Sequence, residues 1–308
     1  MGLTALAAAT IAPLIIGQFW MTLITQIYIY GLLALSVDLL LGHAGLYSLC
    51  QASFFAVAAY TTAILEVRYG YSTFVAAPAG LIAGTLLAIL YGCAVRARGV
   101  YFILITIALG YVLWGAVQRW SSFTGGDNGI TNVPPLSIAR ISIASQTAYY
   151  YFVLCVVISC GLGYRILIRS PFGLSLRGIK GSESRMQSLG YRTTAHLYTA
   201  FIISGVIASL AGVLYVYYNH FINPVAASFQ ISVEASLMAI VGGSGTIVGP
   251  FIGAGIILGL RNWVSSFFEM HTAVMGVVFI GTVLWAPSGI VGLIEGWHAR
   301  LEKATNQL

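Results

Sequence analysis

Charged residues are scarce in this sequence. Asp, Glu, Lys and Arg together make up only 7% of its 308 residues, whereas 59% are hydrophobic and the mean hydropathy is +0.91. Soluble domains carry roughly 25% charged residues. Apolar runs of about 20 residues, the length that spans a bilayer, recur along the chain. The composition therefore excludes an ordinary soluble domain and predicts an integral membrane protein.

Motifs of hydrolytic, nucleotide-binding and metal sites are also missing. The dipeptide Gly-Lys never occurs, which excludes a Walker A motif, and GxGxxG, GxSxG and HExxH are absent. Five histidines are scattered over different segments, and four cysteines lie in apolar runs without a CxxC pair. No metal-ligand spacing or disulfide framework follows from this distribution. We therefore expect no catalytic residues, no metal and no cofactor in this chain.

Positive charge is concentrated in short loops between the apolar runs, and one loop dominates. Residues 165–192 hold six of the fourteen Lys and Arg residues but only one acid, Glu183. Membrane proteins keep an excess of Lys and Arg on the cytoplasmic side, so the net charge of +6 reflects topology rather than nucleic-acid binding. No cation precedes Arg68, which is atypical of a cleaved signal peptide and favours a first membrane segment.

Ten apolar segments predict an all-α polytopic bundle of about ten transmembrane helices, in a single membrane domain covering residues 1–308. Their length and their lack of period-2 alternation exclude a transmembrane β-barrel. Alternation between segments places the basic loops at 96–98 and 165–192 and the cations near the C-terminus on one side, so both termini are expected in the cytoplasm. The segments lie at about residues 4–19, 20–41, 46–66, 74–95, 100–119, 147–168, 196–218, 232–248, 249–267 and 272–294.

Ionisable side chains at membrane depth are few, and burying a charge there is costly enough to make each a functional candidate. Asp38 is the deepest, and it either accepts a hydrogen bond from a neighbouring helix or faces a pathway. Glu66, Glu234 and Glu269 lie near predicted interfaces, where we expect water to solvate them. One deep acid is fewer than an ion-coupled transporter typically uses.

Glycines form two patterns. The run VGGSGTIVGP at 241–250 predicts local unwinding of a helix, which is tolerated at membrane depth only where protein buries the backbone or water lines it. Gly245, Gly249 and Gly253 repeat at four-residue spacing, which predicts close approach of two helix backbones.

The 165–192 loop has the chemistry of a capped helix. Ser170 can cap a helix that starts at Pro171, whose missing N–H costs nothing in a first turn, and Gly190 can end it. Four apolar side chains are expected to anchor this helix: Leu174, Leu176, Ile179 and Met186. Three cations are expected to face acidic or backbone partners: Arg177, Lys180 and Arg185.

The order and spacing of several stretches resemble one family. They are residues 33–65, 96–110, 124–130 (TGGDNGI), 170–190 (SPFGLSLRGIKGSESRMQSLG) and 241–254. Over most of residues 20–295 the chain resembles the permease subunits of bacterial ABC importers for branched-chain amino acids, specifically the longer of the two subunit types. This sequence departs from the family pattern at Asp38, near Leu46, and at Cys50 and Gln51, where the pathway is expected, so the resemblance implies the transport class but leaves the substrate open.

The resemblance implies roles for three groups of residues. A cytoplasmic coupling loop at about 165–195 would dock on an ATPase subunit through Ser170, Pro171, Phe172, Gly173, Arg177, Lys180, Glu183, Arg185, Leu189 and Gly190. The substrate pathway candidates are Asp38, Ser48, Gln51, Ser53, Tyr60, Gly242 and Gly243. Four of these candidates, Ser48, Gln51, Ser53 and Tyr60, lie in the third segment, and for them hydrogen bonding between helices is the alternative role. Ser48, Gln51 and Tyr60 are expected roughly on one helix face.

An outer loop at about 120–147 would contain the third group, a tight turn that either serves local structure or docks a solute-binding protein. Its residues are Thr124, Gly125, Gly126, Asp127, Asn128 and Gly129.

The function implied is that of a permease subunit in an ATP-driven importer of the bacterial inner membrane. ATP and Mg would be bound on two separate ATPase subunits, and a second permease subunit and an extracytoplasmic solute-binding protein would complete the complex. Branched-chain amino acids are the expected substrates, with urea, short amides and small carboxylates as alternatives. An ion-coupled secondary transporter is the alternative of another class.

Overall fold

The computed structural model describes residues 17–138, 141–143, 145–264, 276 and 289–290. Within these residues the chain forms eleven α-helices and one short antiparallel strand pair. The helices are α1 Gln18–Asp38, α2 Gln51–Val67, α3 Thr73–Tyr91, α4 Val100–Arg119, α5 Ser121–Thr124, α6 Gln146–Arg169, α7 Pro171–Gly181, α8 Glu183–Ser188, α9 Thr193–Asn219, α10 Phe229–Gly242 and α11 Gly249–Val264. The strands are β1 Ser137–Ile138 and β2 Ile141–Ser142.

Tighter or wider turns extend two of the helices. α1 continues into a π-helical turn at Leu39–Ala44, and α3 continues into a 3₁₀ turn at Gly92–Arg96. With these turns, five helices are long and apolar enough to cross a membrane: α1, α3, α4, α6 and α9. The shorter helices α2 and α10 are also apolar. The chain is therefore a multi-pass α-helical membrane protein, as the sequence predicts.

Eight of the ten predicted segments coincide with described helices. The remaining two, about 4–19 and 272–294, lie almost wholly outside the described residues. The segment predicted at 46–66 starts later, at Gln51, because residues 45–50 are not helical and Gly45 has a φ of +73°. The segment predicted at 232–248 ends at Gly242.

One end of the helix bundle collects most of the positive charge, and we call it the basic end. It comprises the π-helical turn after α1, the segment 92–99, the connection 169–193 between α6 and α9, and the segment 243–248. Direct contacts join these pieces, including Lys180 Nζ to the Gly42 carbonyl at 2.7 Å. Seven of the fourteen Lys and Arg residues lie in these segments, and Arg165 lies about one turn before them in α6. The seven are Arg96, Arg98, Arg169, Arg177, Lys180, Arg185 and Arg192.

The opposite end holds the 120–146 connection. Ile130 forms an antiparallel bridge with Ile222, just after α9, and Arg68 donates to the Ser122 carbonyl at 2.6 Å. Among the described residues far fewer cations lie here, so the two ends of the bundle differ in charge.

Helices α1 and α9 form the centre of the bundle. In their most apolar windows, 72% and 67% of the residues are buried, against 28%, 22% and 28% in α3, α4 and α6. α9 packs against α1, α2 and α3, while α11 packs against α1 and α10. The exposed apolar side chains of α3, α4 and α6 are consistent with contact to lipid or to another membrane subunit.

The glycine-rich run breaks a helix, as predicted. α10 ends at Gly242, α11 begins at Gly249, and residues 243–248 between them are not helical. The two helices then cross in close contact, because a Cβ atom on Gly253 would overlap the Met238 carbonyl and one on Gly242 would overlap the Gly249 carbonyl. Only glycine allows this approach.

Candidate functional site

The connection after α6 begins with the predicted helix cap. The Ser170 hydroxyl accepts a hydrogen bond from the Gly173 N–H at 3.3 Å, and Pro171 occupies the first turn of α7. A Cβ atom on Gly173 would lie 2.5 Å from the Ile168 carbonyl oxygen. The turn from α6 into α7 is therefore too tight for any other residue at this position.

The connection contains two short helices rather than the single helix predicted. α7 ends at Gly181, and Ser182 has an extended backbone and caps α8 by accepting from the Arg185 N–H at 3.4 Å. The prediction was wrong here because Gly181 and Ser182 form a second helix boundary, which the Gly-Ser pair signals in the sequence. Gly190, with a φ of +87°, follows α8 as expected. We call residues 170–190 the coupling element.

One face of the coupling element packs against the bundle. Leu176 and Ile179 are buried, and Met186 packs partly against the core, as predicted. Leu174 was expected to anchor the helix as well, and that expectation was wrong, because 68% of its surface is exposed. Leu189 is exposed to the same extent. The element therefore presents two leucines away from its own protein.

Two cations of the coupling element hold it to the permease. Arg177 donates from Nη2 to the Ile168 carbonyl at 2.9 Å, and Lys180 donates to the Gly42 carbonyl. Arg185 is exposed and has no side-chain partner among the described residues. Arg177 and Lys180 thus have backbone carbonyls of this chain as partners, which is one of the two kinds of partner predicted from the sequence.

Glu183 joins three parts of the basic end. Its carboxylate lies 3.1 Å from Arg98 Nη2 and accepts hydrogen bonds from the Thr193 hydroxyl at 3.1 Å and from Gln187 Nε2 at 3.2 Å. α8 is thereby linked both to the segment after α3 and to the start of α9. Nearby, the Phe172 ring stacks on His196 with ring centres 5.8 Å apart.

Beneath the coupling element lies a buried cluster that we call the junction, made of Asp38, Gly42, Tyr164, Lys180 and Gly245. The Asp38 carboxylate is completely buried and accepts from the Tyr164 hydroxyl at 2.9 Å and from the Gly245 N–H at 2.6 Å. A Cβ atom on Gly42 would lie 2.5 Å from the Gly245 nitrogen. The junction therefore connects α1, α6, α7 and the break between α10 and α11.

The polar residues near the start of α2 do not share one face. Ser48 precedes the helix, where its hydroxyl lies 3.4 Å from the Cys50 sulfur. Gln51 points at α9 and donates to the Ser204 hydroxyl at 2.8 Å. The prediction of a common face failed because α2 starts only at Gln51, so helical spacing does not apply to Ser48.

Ser53 and Tyr60 form a different pair. They are seven residues, or about two turns, apart on α2, on the side away from Phe54 and Thr62, which pack towards α9 and α3. Both are buried, and neither hydroxyl has a hydrogen-bond partner among the described residues. Buried polar groups are nearly always satisfied, so these two hydroxyls are candidates for contact with a polar group other than the described residues.

The predicted tight turn at the opposite end is present. Thr124 is buried, and its hydroxyl lies 2.6 Å from the Val117 carbonyl and 3.3 Å from the Gly126 N–H. Gly129 has a φ of +65° and lies against the Ile222 carbonyl, so it admits no side chain.

The exposed part of this turn is narrow. Asp127 and Asn128 are exposed, and the Asp127 carboxylate accepts from Gln118 Nε2 at 3.0 Å. Gly125 and Gly129 are only partly exposed. Of the six residues singled out in the sequence, the structure therefore leaves Asp127 and Asn128 as the ones most open to a partner.

A buried ion pair lies between α10 and α11, which sequence reasoning missed. Glu234 was expected to be solvated, but it is buried and accepts from Arg261 Nη1 at 3.3 Å. The Arg261 guanidinium also lies 5.8 Å from the centre of the Tyr30 ring on α1. The expectation was wrong because three helices enclose the carboxylate. The spacing of 27 residues gives no local signal for the pair.

A polar cavity of about 410 Å³ near the opposite end was also missed. It lies between α1, α6 and the end of α9. Gln18 Nε2 donates to Gln146 Oε1 at 2.8 Å on one side, and the Tyr218 hydroxyl donates to the Thr22 carbonyl at 2.9 Å on the other. The run YVYYNH at 215–220 is the sequence signal that was available for it.

A family model described as "Branched-chain amino acid transport system / permease component" matches residues 19–283. The chain belongs to this family. The matched region includes the coupling element, the junction and the polar residues of α2, so all three are features of a permease fold rather than of an accessory segment.

Curated relatives agree with that assignment. The permease is 26% identical over 315 residues to the high-affinity branched-chain amino acid transport system permease protein LivM of Salmonella typhimurium, covering 94% of this chain and 74% of LivM. It is 25% identical over 280 residues to the probable branched-chain amino acid transport permease protein LivH of Methanocaldococcus jannaschii, covering 85% and 88%.

A third relative has a different named cargo. The autoinducer 2 import system permease protein LsrC of Photorhabdus laumondii is 27% identical over 130 residues, covering 38% of this chain and 39% of LsrC. No solved structure matches the permease significantly.

Proposed function

We propose that this permease is one membrane subunit of an ATP-driven importer that carries branched-chain amino acids across the bacterial inner membrane. One observation supports the ATP-driven mechanism above others. The coupling element is packed on the junction by one face and presents Leu174 and Leu189 outward at the basic end. An ion-coupled transporter needs no such surface. The names of the relatives that match over most of this chain support the substrate class.

The proposed complex contains more than this chain. It has a second permease subunit, a paralogue of this one, two ATPase subunits that bind ATP and Mg, and an extracytoplasmic solute-binding protein. This permease contributes one domain with about ten spans and both termini in the cytoplasm. The basic end then faces the ATPases, since it carries the Lys and Arg excess.

In the proposed mechanism the coupling element transmits movement to the pathway. Residues 170–173 and Gly190 shape its two ends, while Arg177, Lys180 and Glu183 keep it attached to the permease. Leu174, Leu189 and Arg185 are free to contact an ATPase. A shift of α7 pulls on Gly42 through Lys180, and Gly42 lies directly against Gly245.

Asp38 is assigned to this transmission rather than to the wall of the pathway. Both of its carboxylate oxygens are engaged within the chain, one by α6 and the other by the segment 243–248. The non-helical backbone at Gly243, which has a φ of +123°, and the adjacent end of α10 at Gly242 are the parts that the junction would move. Nucleotide state can drive this only by favouring one arrangement over the other.

The pathway wall is assigned to the side of α2 that carries Ser53 and Tyr60. A branched-chain amino acid needs an apolar wall with a few polar groups, and these two unpaired hydroxyls on an apolar helix meet that need. Ser48 precedes α2 and Gln51 points at α9, so neither belongs to this side of the helix, although Gln51 Oε1 has no partner among the described residues. At the opposite end, Asp127 and Asn128 would contact the solute-binding protein.

Uptake measurements test the function as a whole. Cells that depend on this permease and its partners should take up labelled leucine, with valine and isoleucine competing and with urea, short amides and small carboxylates competing weakly. Uptake should stop on ATP depletion and persist when an uncoupler collapses the ion gradient while ATP is maintained. Loss of uptake with the gradient would instead indicate a secondary transporter. Competition by autoinducer 2 alone would indicate the cargo that LsrC is named for.

The substitution Tyr60→Phe tests the pathway. Because the hydroxyl has no partner among the described residues, its removal should leave the melting temperature unchanged or slightly higher. If the hydroxyl binds substrate, the KM for uptake should rise about two- to tenfold, the value of one hydrogen bond of roughly 0.5–1.5 kcal/mol.

The control for this test is Tyr164→Phe, which removes a hydroxyl of the same type that does have a partner, Asp38. This variant should lower the melting temperature. An unchanged KM in both Tyr60→Phe and Ser53→Ala would show that this side of α2 does not contact the substrate.

A further inference from the structure

A groove of about 440 Å³ lies at the basic end between the last turn of α3 and the first turns of α9. It is distinct from the coupling element and the junction, and the proposed function does not use it. The lining of the groove is mainly apolar, and the two charged residues in it are Arg96 and Arg192. The groove is lined by Gly92, Cys93, Arg96, Arg192, Thr194 and Ala195, with Tyr198 closing one side.

Arg96 ends the 3₁₀ turn that follows α3 and Arg192 directly precedes α9, and both are exposed. Neither side chain has an ion-pair or hydrogen-bond partner among the described residues. The neighbouring Arg98, in contrast, is paired with Glu183. Two unpaired cations that approach one apolar groove from opposite sides form a site for an anionic group.

An apolar track leads from the groove into the membrane. Leu86 and Leu90 lie four residues apart on α3 and therefore share one helix face, Cys93 follows three residues later in the 3₁₀ turn, and all three are exposed. Tyr198 anchors the other side, since its hydroxyl donates to the Ile89 carbonyl at 2.9 Å. The groove therefore combines an apolar channel of acyl-chain character with cations at the level where the membrane helices end.

We propose that this groove binds one anionic phospholipid of the leaflet at the basic end, with the phosphate between Arg96 and Arg192 and an acyl chain along Leu86 and Leu90. The combination matches a phospholipid in shape and charge, because basic pockets between membrane helices on the cytoplasmic side bind lipid head groups. A soluble anion would use the two cations but not the apolar track. A protein partner would not require an apolar track that leads into the membrane.

Native mass spectrometry of the full-length permease in mild detergent tests this proposal. Phosphatidylglycerol and phosphatidylcholine with identical acyl chains are added, and the lipid retained per protein is counted. Wild-type protein should retain one phosphatidylglycerol in preference to phosphatidylcholine. The double variant R96Q/R192Q should bind it at least about tenfold more weakly, as expected for the loss of two cations at an anionic head group.

Two further variants separate charge, shape and general basicity. C93W fills the groove with both arginines intact and should also weaken retention. R119Q removes an exposed arginine at the opposite end of the bundle and should have no effect. Added inorganic phosphate should not displace the lipid, since it cannot use the apolar track.

Three results would overturn the proposal. They are equal retention of the two lipids, equal retention by wild type and R96Q/R192Q, and an equal loss in R119Q. If R96Q/R192Q retained lipid normally but failed to copurify with ATPase subunits, the groove would belong to a protein interface. None of these readouts depends on uptake, so failure of this proposal is distinguishable from failure of the proposed function.

Discussion

Replacing Leu174 by glutamate should reduce ATP-driven uptake by at least about tenfold while leaving the permease folded in the membrane. Leu174 contributes little to the permease's own packing, because 68% of its surface is exposed. In the proposed complex it is buried against an ATPase subunit, where an unpaired carboxylate costs several kcal/mol, and each 1.4 kcal/mol is about a factor of ten in affinity. The measurements are uptake and copurification of ATPase subunits with tagged permease.

Leu174 is a sharper target than the cations of the coupling element. Arg177 donates to the Ile168 carbonyl, so Arg177→Glu would disturb the element itself and confuse folding with docking. Leu189→Glu should act like Leu174→Glu, because Leu189 is equally exposed. Val225→Glu, at an exposed apolar residue of the opposite end, is the matched control and should leave ATPase copurification intact. Normal copurification and uptake in both leucine variants would refute the docking role.

Asp38→Ala should have the largest effect on stability. The substitution leaves the buried Tyr164 hydroxyl and the Gly245 N–H without their acceptor. Hydrogen bonds to charged groups contribute about 1.5–3 kcal/mol each, and an unpaired buried group adds a desolvation cost. We expect the free energy of unfolding to fall by roughly 3 kcal/mol, with a corresponding loss of melting temperature and of uptake.

Asp38→Asn separates charge from geometry. The amide oxygen can still accept from Gly245, and the amide NH₂ can donate to the Tyr164 oxygen, so this variant should be closer to wild type in stability than Asp38→Ala. Tyr164→Phe should lose only the hydrogen bond between Tyr164 and Asp38, so its stability should lie between those of Asp38→Asn and Asp38→Ala. If Asp38→Ala melts at the wild-type temperature, the junction does not hold the segment 243–248 in place.

Several features were predictable because nearby residues determine them. Hydropathy and the distribution of Lys and Arg indicated a multi-pass helical protein with one basic end. The Ser170 cap, the Pro171 start of α7 and the break after Gly242 were also visible, since each depends on backbone chemistry within a few residues. The prediction of one helix instead of two in the coupling element was wrong because Ser182 caps a second helix, and that prediction did not consider this cap.

Other features depend on pairs that are far apart in the chain. Nothing local indicates that Asp38 binds a backbone N–H 207 residues later or that Glu234 pairs with Arg261. The outward direction of Leu174 likewise depends on which face of α7 the bundle covers.

The sequence by itself determined the class of this protein, the concentration of its positive charge and the two ends of the coupling element, because composition and capping act locally. Only the tertiary structure decided that Asp38 is part of a junction, that Ser53 and Tyr60 carry unpaired hydroxyls, and that Arg96 and Arg192 meet at one groove. Those facts follow from how helices pack, and packing brings together residues whose separation along the chain carries no signal.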